Sequence, residues 1–252
     1  MLSERKRRKR RLRNIISVFY CSAELLLAVA LFGGLGKWLD VRQVSGAVIP
    51  VMNNDQTDEP KDDRLTICID AGHGGKDNGS NLGSRMEKDD NLKLAIAVAA
   101  YLEQQNVRVV MTRETDVFLS LQQRCQIAND EQAAYLVSLH RNDGSGKGVE
   151  IWVNSNANDE ALALARNILQ GLKDVGIQKD RGVKQGTQKN DAGDYYVNQN
   201  SDMPSCIVEL GFISNSYDNK LYDEQLEQYA AAIGNAILKT YQDVAGESLT
   251  GE

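Results

Sequence analysis

From Leu65 onward, short apolar runs rich in β-branched residues alternate with stretches whose apolar residues recur at helical spacing. Leu65-Thr-Ile-Cys-Ile69 reads as a strand, followed by a glycine-rich loop. Leu92, Ala95, Ile96, Ala99 and Leu102 then mark a helix. Val107–Met111 is the next strand and Leu119–Asn129 the next helix. Ala134–Leu139 and Val149–Val153 are strands, with a helix stripe at Ala161, Leu164, Ala165, Ile168, Leu169 and Leu172. Cys206–Leu210 is a further strand, and a helix carrying Leu226, Tyr229, Ala230, Ile233 and Ile237 closes the domain. Such alternation leaves few options: an α/β fold with a mostly parallel sheet and helices on both faces. In these folds functional side chains gather at the carboxyl ends of the strands.

The segment before this domain is organised differently. Residues 1–14 hold eight basic side chains, among them Arg5, Lys6, Arg7 and Arg8, against one acidic residue, Glu4. Ile15–Leu35 is a largely apolar run of 21 residues, which as a helix rises about 31 Å, enough to cross a hydrocarbon core of about 30 Å. The basic tip keeps to the cytoplasm and sends the remainder across, so a transmembrane signal anchor is expected at residues 15–35. Glu24 is its costly residue. Ala28-Val-Ala30 offers a cleaved signal peptide as the alternative. Residues 36–64, of which Asp40–Arg64 is polar and contains Pro50 and Pro60, read as an extracytoplasmic linker. The folded domain is expected over 65–243 and a flexible tail over 244–252. From Gly36 on, 21 basic residues face 33 acidic ones, an acidic body that argues against nucleic-acid binding. The four cysteines, Cys21, Cys68, Cys125 and Cys206, form no C-x-x-C pair. Buried free thiols are the default, with a Cys68–Cys206 bridge the open alternative.

The chain has two histidines, His73 in Asp70-Ala-Gly-His-Gly-Gly75 and His140 in Ser138-Leu-His-Arg-Asn142, each where a strand meets a loop. Glu87 opens a helix after a loop, and Glu209 sits on a strand between Val208 and Leu210. A carboxylate there is costly without a partner. Two imidazoles and a carboxylate make a catalytic zinc set, and a second carboxylate can move protons beside it. Each piece alone has a plain structural reading: a tight turn, a first-turn acid favoured by the helix dipole, a carboxylate paired with an arginine.

Asp70-Ala-Gly-His-Gly-Gly-Lys-Asp77, Glu87-Lys-Asp-Asp90, Thr112-Arg-Glu-Thr-Asp116, Arg124 with Ala128-Asn129, Ser138-Leu-His-Arg-Asn142, Gly148-Val-Glu150 and Pro204 with Val208-Glu-Leu-Gly-Phe-Ile-Ser-Asn215 together resemble the zinc-dependent N-acetylmuramoyl-L-alanine amidases of the Amidase_3 type. The resemblance covers Leu65–Tyr241. It implies a twisted sheet of about six strands, and hydrolysis of the amide between N-acetylmuramic acid and the L-alanine of the stem peptide in peptidoglycan. By position it implies Zn2+ held by His73, Glu87 and His140. Glu209 would be the acid/base that deprotonates the attacking water and returns the proton to the alanine nitrogen. Asn142 and Glu150 take supporting roles, and Arg141 is expected to touch a stem-peptide carboxylate. Ala71 replaces the family's usual proline. Two rivals remain open: a zinc hydrolase acting on another amide, and a catalytically silent wall-binding or activator protein of the same fold.

Overall fold

The computed structural model describes residues 62–188 and 193–250, without the side chains of 247–250. The basic tip at 1–14, the expected span at 15–35 and the linker as far as residue 61 lie outside the described residues. No helix of the described residues is long and apolar enough to cross a membrane.

The elements run β1 (Thr66–Ala71), β2 (Asn81–Leu82), β3 (Arg85–Met86), α1 (Glu87–Gln104), β4 (Arg108–Met111), α2 (Leu121–Asp130), β5 (Tyr135–Asn142), β6 (Val149–Val153), α3 (Asp159–Val175), β7 (Asp180–Gln185), α4 (Tyr196–Asn200), β8 (Ser205–Phe212) and α5 (Ser216–Thr250). Six strands form the main sheet in the order β4-β1-β5-β8-β6-β7. β4, β1, β5 and β8 are parallel. β6 pairs antiparallel with β8, and β7 runs parallel to β6. The expected α/β architecture is therefore present, with two strands reversed at one side.

The two faces of the sheet are covered unequally. One buries Ile67, Ile69, Val137, Leu139, Ile151, Cys206 and Val208 against α1, α3 and α5 in the main core. The other buries only a small cluster, in which Cys68 and Leu136 meet Cys125 and Ala128 of α2 and Val197 of α4. The thinly covered face also carries Asp70, Ser138, His140, Glu209 and Glu150, which alternate with the core residues along their strands. Cys68 pairs with Leu136 and Cys206 with Val137, so the two thiols point to opposite faces. They are free, and the bridge left open from sequence does not form.

Several boundaries differ from the sequence reading. β7, Asp-Arg-Gly-Val-Lys-Gln, is an edge strand with exposed ends and a single valine, so it carries almost no apolar signal. α4 has only five residues, too few for a periodic stripe. α5 begins ten residues before Leu226, with a kink at Gln225, and continues to Thr250 instead of ending near residue 243. Gly246 weakens this last stretch without breaking it.

Candidate metal centre and proton-transfer site

The site is built on the loop leaving β1. Asp70, the last charged residue of that strand, is 1% exposed. It accepts hydrogen bonds from Thr112 Oγ1 (2.6 Å), Ser138 Oγ (2.5 Å) and Arg124 Nη1 (2.7 Å). Burial opposes its charge, but Arg124 and the two hydroxyls outweigh that and hold the carboxyl below its ordinary range. Arg124 also donates to the carbonyls of Ala71 and His73, both at 2.7 Å. Arg113 donates to the carbonyls of Ala71 (2.8 Å), Gly72 (2.9 Å) and Lys88 (2.8 Å). Two buried guanidinium groups thus take up the carbonyls of a turn that has no strand partner for them. They also hold His73 at φ 61, a left-handed conformation that costs a non-glycine residue about 1–3 kcal/mol.

Glu87 is the first residue of α1. Met86 gives that helix no side-chain cap, but the loop supplies acceptors: Glu87 N donates to Ser80 O and Lys88 N to Asn78 O. The Glu87 carboxylate is 3% exposed. Its Oε2 accepts from Ser80 N at 2.8 Å. Its Oε1 accepts from Arg141 N at 3.1 Å and Asn91 Nδ2 at 3.3 Å, and lies 2.9 Å from His140 Nδ1 and 3.2 Å from His73 Nε2. The two imidazoles meet edge to face with centroids 4.9 Å apart. Burial works against the charge of Glu87, yet the hydrogen bonds from His140 and His73 hold its carboxyl well below the usual range. His73 moves the other way: despite burial, Glu87 and Asp77 raise its ring to about 9. The centre therefore favours positive charge where the two rings and the carboxylate meet.

These residues fit a divalent cation. One ligand atom from each of His73, Glu87 and His140 lies within 4.8 Å of the others, a spacing compatible with bonds of about 2.0–2.2 Å to one shared ion. Asp77 Oδ2 holds His73 Nδ1 at 2.9 Å, which fixes the tautomer that leaves Nε2 as a donor atom. No bulk fits around the cluster. A Cβ on Gly79, whose φ is +62, would lie 2.5 Å from Glu87 Oε2, and one on Gly72 would strike the His140 ring.

Glu209 of β8 pairs in register with His140 on one side and with Glu150 of β6 on the other. It is 8% exposed, and its Oε2 is buried without a hydrogen-bond partner. Burial, reinforced by Glu87 and Glu150 against the pull of His140, raises its carboxyl to about 7. That is the proton affinity of a group able to take and return a proton near neutral pH. Glu150, 1% exposed, is by contrast saturated. Its Oε1 accepts from Asn142 Nδ2 (2.7 Å), Gln188 Nε2 (3.1 Å) and Trp152 Nε1 (3.3 Å), and its Oε2 from Arg181 Nε (2.7 Å). Asn142 and Glu150 thus hold each other beside Glu209.

The structure brings His73, Glu87, His140, Glu209, Asn142 and Glu150 together and leaves out Arg141. The Arg141 side chain is fully buried on the opposite side of the strand, where it donates to Asp90 (2.6 Å) and Asn219 (2.7 Å) and stacks on Tyr222. Strand alternation separates it from His140, so it cannot meet a stem-peptide carboxylate. Asp77, like Asp70, Arg113 and Arg124, lies in a motif that carries the resemblance but has no role assigned from the sequence. Its signal was its position four residues after a histidine in a tight loop. Asp77→Ala is expected to lower metal affinity by roughly 10–100-fold, read by competition with a chromophoric chelator. An unchanged affinity would remove Asp77 from the centre.

Over residues 67–239 the sequence matches the family Amidase_3, described as N-acetylmuramoyl-L-alanine amidase. It is 40% identical over 181 residues to the protein named "Uncharacterized protein YqiI" of Bacillus subtilis (strain 168), covering 70% of this chain and 84% of that protein. It is 29% identical over 214 residues to the probable cell wall amidase LytH of Staphylococcus aureus, 78% of this chain and 68% of that one. Among solved structures, the N-acetylmuramoyl-L-alanine amidase from Clostridium difficile 630 superposes with a TM-score of 0.65 at 30% identity, covering 71% of this chain and 97% of that chain.

Proposed function

Because the chain belongs to the Amidase_3 family of N-acetylmuramoyl-L-alanine amidases, we infer that it is a peptidoglycan hydrolase that cleaves the amide between N-acetylmuramic acid and the L-alanine of the stem peptide. The observation that carries this reading is the pairing of a His73–Glu87–His140 cluster with an unpartnered, buried Glu209 one strand away.

Two neutral imidazoles and one carboxylate are the donor set of catalytic zinc sites that keep a position open, and the cation is proposed to be zinc. Held by these residues, zinc would lower the pKa of a water and polarise the scissile carbonyl. Glu87 brings the negative charge that offsets the cation, and Asp77 keeps the His73 ring in the tautomer that binds it. Glu209 takes the proton from the attacking water at its free oxygen and hands it to the departing alanine nitrogen. Asn142 and Glu150 support the wall against which Glu209 rests.

The substrate lies outside the cytoplasm, and the N-terminal segment suits that address. We place residues 15–35 as a single membrane-spanning anchor, with the basic tip cytoplasmic and the catalytic domain, over 65–243, reaching the wall through the 36–64 linker. Residues 244–250 continue the domain's last helix.

Digestion of purified peptidoglycan, with and without a chelator, tests the activity. Chelator-sensitive release of stem peptides with an L-alanine amino terminus, seen by mass spectrometry, is expected. Loss of D-alanine alone would overturn the amide assignment. In fractionated cells the protein is expected to need detergent for extraction, and release by high salt alone would refute the anchor.

A further inference from the structure

The row His140–Glu209–Glu150 does not end on β6. On the next strand Arg181 donates from Nε to Glu150 Oε2 at 2.7 Å, and its guanidinium lies 4.9 Å from the centre of the Phe212 ring. Lys184 Nζ stands 3.4 Å from the same carboxylate oxygen. One buried carboxylate therefore faces two cations, whose side chains are 26% and 36% exposed, and the cluster keeps a surplus positive charge. With Nε and one ring face engaged, the outer edge of Arg181, formed by Nη1 and Nη2, has no hydrogen-bond partner among the described residues. A guanidinium fixed at one edge and open at the other presents a fork matched to a carboxylate.

From this we propose that Arg181, assisted by Lys184, recognises a free carboxylate on the second residue of the stem peptide. The proposal rests on the amidase reading above. Glu209 must face the departing nitrogen to protonate it, so whatever that nitrogen carries extends past Glu209, away from the metal ligands. The nitrogen carries the stem peptide, and beyond Glu209 lie Glu150 and then Arg181. Adjacent strands are about 4.8 Å apart, which puts the Arg181 backbone roughly 10 Å from that of Glu209. Consecutive α-carbons are about 3.8 Å apart, so a carboxyl on the second α-carbon sits about 6–7 Å from the scissile nitrogen, within reach of that fork. Where the second residue is a γ-linked glutamate, its α-carbon carries either a free carboxylate or a carboxamide, and the cation pair separates the two. Glu150 is a positioning residue here: it holds Arg181 by Nε and leaves the other edge to the ligand.

The test compares N-acetylmuramoyl-L-Ala-D-Glu, its γ-carboxyl capped as a methylamide in place of the γ-link, with the same compound amidated at the α-carboxyl, so that the second residue carries one free carboxylate or none. The wild type is expected to favour the carboxylate by about 10–100-fold in kcat/KM, the range of a charge-assisted hydrogen bond. Arg181→Gln should bring that ratio towards one, whatever it does to the overall rate, and Lys184→Gln should lower it by less. A wild type without preference, or a preference that Arg181→Gln leaves intact, overturns the proposal. Should Arg181→Gln not fold because Glu150 loses its partner, the double change Glu150→Gln with Arg181→Gln removes both charges and reads the same ratio. Calorimetry of the free dipeptides L-Ala-D-Glu γ-methylamide and its α-carboxamide against Glu209→Gln protein separates the two readings. If the wild type hydrolyses neither substrate, the amidase reading fails. Selective binding that Arg181→Gln abolishes would still carry the subsite, and absence of selective binding would sink it.

Discussion

Glu209→Gln is expected to lower amide hydrolysis by about 10²–10⁴-fold while leaving the metal content of the protein unchanged. The side chain keeps its shape and loses only the capacity to accept and return a proton. A near-wild-type rate would hand the proton transfer to another group. The same substitution has a second, opposite consequence for the fold. In the metal-free protein burial raises the Glu209 carboxyl from 4.5 to about 7. Below pH 4.5 the group is protonated in folded and unfolded chains alike, and its burial adds no charge penalty. As pH rises from 4.5 to about 7 the unfolded chain ionises while the folded one holds its proton, so stability is lost progressively until the buried carboxylate ionises as well. Above that window the loss is on the order of 3 kcal/mol. Metal-free Glu209→Gln should therefore melt above the metal-free wild type at pH 8 and together with it at pH 4. Coincident melting at both pH values would mean that Glu209 is not desolvated as the fold places it.

That trade explains why Glu209 stood out in the sequence. A carboxylate between Val208 and Leu210 on a strand conflicts with its surroundings, and such conflicts gather at functional positions. His73 and His140 were legible for a related reason, as the chain's two imidazoles, both at strand ends. The long elements were legible because each buries a continuous stripe: α3 presents Ala161, Leu164, Ala165, Ile168, Leu169 and Leu172 to the core, as their spacing predicts. What escaped were residues whose role depends on direction or on a neighbour far along the chain. Arg141 stands next to His140 in sequence and on the opposite face of the strand in space. Arg124 and Arg113 sit 54 and 42 residues from the loop carbonyls and the aspartate they hold, with no periodicity to announce them. Arg181 lies on a polar edge strand that forms because β6 offers it a free edge, not because its own sequence favours a strand.

Glu87→Gln is the other large effect, and it should fail differently. The amide can still accept from Ser80 N, and an uncharged polar residue is tolerated at the first position of α1, so the fold is expected to survive. What disappears is the single negative charge between His73 and His140. A doubly charged cation in that buried place would then have only neutral protein ligands, and leaving a buried charge uncompensated costs several kcal/mol. Purified Glu87→Gln protein should hold little or no metal, and hydrolysis should fall at least about 10³-fold under ordinary metal concentrations, the scale set by a binding loss of about 4 kcal/mol. Because the defect is one of affinity, raising free zinc should restore part of the rate. The same replacement of glutamate by glutamine at position 209 leaves His73, Glu87 and His140 intact, so added zinc should restore nothing there. If Glu87→Gln kept its metal, Glu87 would be a helix-terminal acid rather than a ligand. If zinc rescued Glu209→Gln instead, the two carboxylates would have exchanged roles.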